Sequence, residues 1–280
     1  MKIVIIVGII VWLGYEFLTS KPIPTEYLNC NIGGLGAGKT FLAVRGVIQS
    51  YHKKLRAYLF SKWRHPLRKD KQKVKPSVYS NIPLILDRFT MAKVLTKEHI
   101  FIEELLPEGS DVLFDEIGQA CDQFKYDIPA VKHNVQTFVR FLRQFVGGKL
   151  YCTEQSSDFI AKPIRARFSK IVEVKHFHRV LGFLPFCKVY WRAYTVTNDV
   201  VNVSDVKDNK YNKWFFFCWY GNHYHSKPYA PAYKEGFTHE APLKWDRKNL
   251  QTRYIIDVTQ PCMRDLYQDV SVKAKPKAKK

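Results

Sequence analysis

The residues of this chain best suited to chemistry begin with eight in a row: Gly33, Gly34, Leu35, Gly36, Ala37, Gly38, Lys39 and Thr40, which fit G-x-x-x-x-G-K-[ST]. These types suit one task, holding a nucleoside triphosphate. Glycines let backbone N–H groups turn inward around a phosphate. Lys39 is expected to reach the β- and γ-phosphates, and Thr40 to give its hydroxyl to Mg2+. The context supports this. Glu26 to Ile32 (EYLNCNI) reads as a short buried strand leading into the loop, and Leu42, Ala43, Val47, Ile48 and Tyr51 recur at helical spacing after it. A helix starting near Lys39 aims its positive end at the anion.

A second signal is Asp111-Val112-Leu113-Phe114-Asp115-Glu116, an apolar strand ending in adjacent acids about 75 residues after the loop. Asp115 is expected to hold Mg2+ through water, and Glu116 to polarise the attacking water. The C-terminal edge of a strand is where α/β sheets bind ligands. Farther on, Val131, Val135, Phe138, Val139, Leu142, Phe145 and Val146 fall on one helical face, which Gly147-Gly148 ends. Lys149 to Thr153 then reads as a strand closed by Glu154 and Gln155. If that strand lies between the loop strand and the acidic strand, a polar residue at its end can sense the γ-phosphate; Gln155 is the choice here. Arg140, Arg143, Arg165 and Arg167 are candidates for an arginine that completes a neighbouring subunit's site, with Arg143 favoured.

The elements that must position these residues form an α/β P-loop NTPase with a parallel sheet core of the additional-strand class. The motif order is GGLGAGKT, VYSNIPL (78–84), DVLFDE, the arginine-bearing helix, YCTEQ (151–155) and IRARFSKIVEV (164–174). This order resembles the zonular occludens toxin-like family, the assembly ATPases of filamentous phages, over roughly residues 26–180. The resemblance implies an inner-membrane ATPase, with ATP and Mg2+ as cofactors, that drives extrusion and coating of single-stranded DNA virions. It also implies phage coat or export proteins as partners. Members of that family usually carry a membrane span after the ATPase domain. Here the longest apolar run in that part, WFFFCWY (214–220), has seven residues. A viral DNA-packaging ATPase of the FtsK/HerA type is the alternative relative.

Charge and hydropathy set the surroundings. The chain has 280 residues, 46% hydrophobic, with 45 Lys+Arg against 25 Asp+Glu, a net +20. That is enough apolar material for a core and excludes wholesale disorder. Residues 52–75 hold ten Lys/Arg and one Asp, and the tail 273–280 adds five lysines, together 14 of the 20 excess charges. Such clusters favour a polyanion, here nucleic acid (phage DNA) or anionic lipid. The apolar run Ile3–Leu13, extended through Leu18, reads as a membrane anchor with Trp12 and Tyr15 at an interface and Glu16 reaching the headgroups, ahead of a cleaved signal peptide, for which no A-x-A-like site follows, and a buried N-terminal strand. The expected location is therefore the host inner membrane, single-pass, with the ATPase domain on the cytoplasmic side.

The six cysteines form no CxxC pair and read as reduced thiols, and the histidines and cysteines after residue 176 match no standard zinc spacing. Lys188–Val196 and Val200–Val206 read as a hairpin. The expected organisation is an anchor at 1–20, a P-loop ATPase domain at 21–180 with a basic insert at 52–75, a β-rich aromatic region at 181–272 and a basic tail at 273–280. Because one P-loop domain cannot step along a polymer alone, a homo-oligomeric ring is expected. A non-catalytic basic membrane scaffold that recruits DNA is the competing reading, and the Asp115-Glu116 pair argues against it.

Overall fold

The computed structural model describes residues 2–118, 129–168, 170–180, 186–197, 200–201, 211–217, 223–224, 237–238, 240–250 and 252–256. The basic tail 273–280, Cys121, Cys218, Cys262, His225, His239 and residues 202–206 of the expected hairpin lie outside the described residues. The first element is helix α1 (Lys2–Leu18), followed by strand β1 (Leu28–Ile32) and helix α2 (Lys39–Arg64). Then come β2 (Val78–Ser80), β3 (Lys93–Val94), the short helix α3 (Lys97–Ile100) and β4 (Asp111–Phe114). Helix α4 (Pro129–Phe141) runs on into a wider π-type turn, Leu142–Val146, closed by Gly147 in the left-handed conformation. β5 (Leu150–Glu154), helix α5 (Lys162–Arg165), β6 (Lys170–Arg179), β7 (Phe186–Thr197), β8 (Val200–Val201), β9 (Asn212–Phe217), β10 (Phe237–Thr238) and β11 (Arg253–Tyr254) complete the order.

The main sheet runs β3-β2-β4-β5-β1-β6-β7-β8, with β9 also on β7. β3, β2, β4, β5, β1 and β6 pair in parallel; β7, β8 and β9 are antiparallel additions. This is a mixed α/β fold with a mostly parallel sheet, consistent with a P-loop fold. β5 stands between β1 and β4, the order that brings a third strand end between the loop strand and the acidic strand.

The pleat sorts side chains onto two cores. Leu28, Cys30 and Ile32 of β1, Val112 and Phe114 of β4, and Leu150 and Cys152 of β5 face one side, where Phe138, Val139, Leu142 and Ile164 cover them. Leu113 and Tyr151 face the other, against Phe41, Leu42, Val47, Ile48 and Tyr51 of α2. Parallel strands buried on both faces favour apolar runs, as in Val112-Leu113-Phe114 of β4; β1 instead alternates, and the amides of Asn29 and Asn31 donate to the Glu26, Leu150 and Lys39 carbonyls.

The basic stretch gains a definite form, and one expectation is corrected. Residues 52–64 continue α2 as one helix of 26 residues, so the first half of the basic stretch is helical. The membrane anchor is overturned: among the described residues no helix is long and apolar enough to cross a membrane. α1 has 17 residues, about 25 Å at ~1.5 Å per residue, against a hydrocarbon core of ~30 Å. Its last turns are committed to the sheet. Glu16 is buried and ion-paired with Lys213 at 2.8 Å and Lys188 at 3.2 Å. Trp12 and Phe17 meet Phe215 edge-on, at 6.3 and 4.8 Å between centroids. The carboxylate read as reaching headgroups therefore anchors the helix to β7 and β9.

Candidate functional site

Parallel pairing aligns the C-terminal ends of three strands. Ile32 of β1 is in register with Glu154 of β5, and Phe114 of β4 with Cys152 of β5. The residues that follow each strand, the glycine loop, Asp115-Glu116 and Gln155, must emerge along one edge. The loop is set by its glycines. Gly38 caps α2 in the left-handed region at φ 93°, and a Cβ there would sit 2.4 Å from the Phe177 Cβ. No other residue type fits without a shift. α2 then begins at Lys39, which is itself buried, and its first N–H groups point out of the helix end.

The edge closes on Asp115. Its Oδ1 accepts the Thr40 hydroxyl at 2.9 Å and the Thr153 hydroxyl at 2.7 Å. Its backbone is clamped by Asn81: the Asn81 amide donates to the Asp115 carbonyl and the Asp115 N–H to the Asn81 Oδ1, each at 2.8 Å. Glu116 follows at φ 57°, an uncommon angle for a residue with a side chain, and its N–H donates to the Thr153 Oγ1 at 3.0 Å. The donor set fits a hard divalent cation. A threonine hydroxyl and a carboxylate oxygen meet at one point, and Mg2+ favours oxygen ligands from one or two protein groups plus waters.

Glu154 adds a buried carboxylate beneath this edge. It accepts from the Gly118 N–H at 2.6 Å and the Gln155 N–H at 2.8 Å. Burial pushes its pKa above the ordinary carboxylate range and Glu116 adds to this, while the two N–H donors and Lys39 act in the opposite direction. Beside the loop, a cavity of about 410 Å3 is lined by Gly33, Gly34, Gln155, Glu173 and Tyr194 among others. Glu173 is held by Arg192 at 2.5 Å, by the Tyr194 hydroxyl and by Tyr211 at 3.2 Å. Burial alone would raise its pKa, but Arg192 and the two hydroxyls keep it low. A second cavity, about 250 Å3, lies away from the loop between Pro24, Arg45, Tyr151 and Trp214.

The structure thus brings Gly33–Thr40, Asp115 and Glu116 to one edge, with Gln155 exposed beside the loop in the first cavity. Arg143 and Arg140 are exposed on α4 and the turn after it, and Arg167 is exposed after α5. Arg165 instead is buried and bound to Asp158 at 3.0 Å and the Ser157 carbonyl at 3.1 Å. Sequence reasoning did not assign roles to Thr153, Asn81 or Glu154. A signal for Thr153 was present: a hydroxyl at the end of a strand that has to lie beside the acidic one. Glu154 gave none, since a charged residue next to Gln155 reads as the start of a loop.

No protein-family model matches the chain, and no curated protein matches it. Among solved structures, the crystal structure of the N-terminal domain of zonular occludens toxin from Neisseria meningitidis is a structural neighbour. The likeness has a TM-score of 0.39 at 11% sequence identity and covers 70% of this chain and 95% of that one. That protein bears the name of the family whose motif order this sequence resembles.

Proposed function

We propose that this chain is a Mg2+-dependent P-loop ATPase whose hydrolysis drives the movement of nucleic acid, in virion assembly or DNA translocation. The observation that carries the reading is the meeting of Thr40, Asp115 and Thr153 within hydrogen-bond distance, from three separate elements. In this reading the main-chain N–H groups of Gly33–Thr40 cradle the phosphates and Lys39 binds the β- and γ-oxygens. Thr40 and Asp115 hold Mg2+, which when bound offsets charge developing on the phosphate oxygens. Glu116 orients the attacking water and accepts its proton. Gln155 reads the γ-phosphate from the loop side. Exposed Arg143 is offered to the next copy in a homo-oligomeric ring.

The nucleic-acid part rests on the far end of α2. There Phe60 is 58% and Trp63 77% exposed, with ring centroids 5.9 Å apart, amid Arg56, Lys62 and Arg64. Exposed aromatic rings between cations suit the stacking of unpaired bases along a phosphate track. The virion-assembly setting rests on the order of motifs from GGLGAGKT to YCTEQ.

The test is phosphate release with and without single- and double-stranded DNA. Wild type is expected to hydrolyse ATP, faster with one form of DNA. Lys39→Ala and Glu116→Gln are expected to lower turnover by at least about 100-fold, with Glu116→Gln still binding ATP. Normal turnover in both variants removes the mechanism.

A further inference from the structure

One buried cation near the site has no place in the mechanism above. Arg253, on the short strand β11, is 8% exposed. It lies in a segment that folds back over the acidic edge from far along the chain. The Trp245 indole N–H donates to the Ser80 carbonyl at 3.2 Å, and the Tyr254 N–H donates to the Asn81 carbonyl at 3.1 Å. Trp245, Tyr254 and Ile256 join the same core as Val112 and Phe114 of β4. Asn81, which receives β11 on its carbonyl, is the residue whose side chain clamps the Asp115 backbone at both ends. Two hydrogen-bonded steps therefore connect the Arg253–Tyr254 backbone to the Asp115–Glu116 turn.

Burying a guanidinium is costly unless counter-charges face it. Those that act on Arg253 are Asp115, Tyr224 and Glu116; burial lowers its pKa, and these three oppose that. Glu116 sits at φ 57°, where residues with a side chain persist only when their surroundings fix them, and the Asn81 clamp on Asp115 that β11 backs is part of those surroundings.

We propose that Arg253 is a positioning residue for hydrolysis, supplied in cis by the C-terminal segment, that acts on the Asp115–Glu116 turn by way of Asn81, from the β2 side of the acidic strand. The inference rests on the ATPase reading above. It makes the segment around Trp245 and Arg253 part of the hydrolytic site, so that Glu116 is set for water activation while that segment is docked.

The experiment compares wild type, Arg253→Met and Arg253→Lys in the full chain. It measures steady-state ATP turnover, Mg2+-dependent affinity for a fluorescent ATP analogue, and thermal unfolding. The expected result is a fall in kcat of about 10- to 100-fold in Arg253→Met, as for a slightly misplaced catalytic group. The analogue affinity stays within about threefold, because uniform binding is untouched. Arg253→Lys recovers part of the lost kcat, and Arg253→Met in a Glu116→Gln background causes no further loss. Equal kcat in wild type and Arg253→Met overturns the inference and leaves the ATPase reading standing. So does a joint loss of affinity and thermal stability in both variants, the mark of a packing role. A wild type that binds no nucleotide overturns the ATPase reading and this inference with it.

Discussion

Strand β4 carries an acid near each end, and the two are treated in opposite ways. Asp111, at the start, is 1% exposed; it takes the Lys54 ammonium at 2.6 Å and the Lys149 N–H at 2.8 Å on Oδ1. Asp115, just past the other end, takes two threonine hydroxyls. An ammonium cancels a carboxylate's charge and fixes it as structure. Hydroxyl donors orient the carboxylate and leave its charge to be used by a cation. The same residue type on one strand is thus a buried strut at the base and a candidate metal ligand at the tip. What decides is the partner each end meets, α2's second half or its first turn.

The comparison can be broken from either end. The largest effect is expected at the tip. Glu116→Gln should lower kcat by about 10²- to 10⁴-fold, the usual worth of a general base, with ATP affinity retained. Phosphate release and analogue binding on the same preparation check this. Next is the base of the strand: Lys54→Met leaves Asp111 buried without its ammonium. A loss of about 2–3 kcal/mol in unfolding free energy is expected, below the ~3–5 kcal/mol of a fully buried pair because Lys54 partly reaches water. Urea denaturation measures it, and ATP turnover per folded molecule should be unchanged.

Thr153→Val separates the two roles more finely. It removes one hydroxyl from Asp115 and the acceptor of the Glu116 N–H, so a fall in kcat of about tenfold is expected, as for one hydrogen bond to a charged group. An indifferent Thr153→Val variant would mean that Asp115 is ordered by Thr40 and Asn81 alone.

The smallest effect is a pH effect on α1. Burial would raise the Glu16 pKa, but Lys213 and Lys188 outweigh it and the net shift is downward from 4.5. A depressed carboxylate contributes stability above its unfolded value and loses it as pH falls through the folded value. Hydrogen exchange in residues 6–18 should therefore speed up as the pH falls below about 4.5 and down through the lowered folded value. Glu16→Gln should show fast exchange at neutral pH as well.

Much of this edge was legible before any coordinates. The glycine loop, its strand, the acidic strand and the start of α2 are written in local spacing, and local spacing is what periodicity reads. The spacing puts β5 at Lys149–Thr153, with Glu154 and Gln155 closing it, whereas the strand runs Leu150–Glu154 and buries Glu154. Other features depend on contacts far apart in sequence. The Glu16 ion pairs span more than 170 residues, and Trp245 reaches Ser80 across 165. No window of sequence carries such a contact, so the apolar run Ile3–Leu13, extended through Leu18, reads as a membrane segment. The continuation of α2 to Arg64 was hidden for another reason. Its exposed Leu59, Phe60 and Trp63 do not complete a buried stripe, so the charges there read as an insert.

The most direct test of the central claim is Mg2+-dependent binding of a fluorescent ATP analogue to the purified chain, measured for wild type, Lys39→Ala and Asp115→Asn. Wild type is expected to bind saturably, and its binding to fall when Mg2+ is chelated. Lys39→Ala is expected to lose at least about tenfold in affinity, and Asp115→Asn to lose the Mg2+ dependence. Equal binding by all three proteins, or none by wild type, would contradict it.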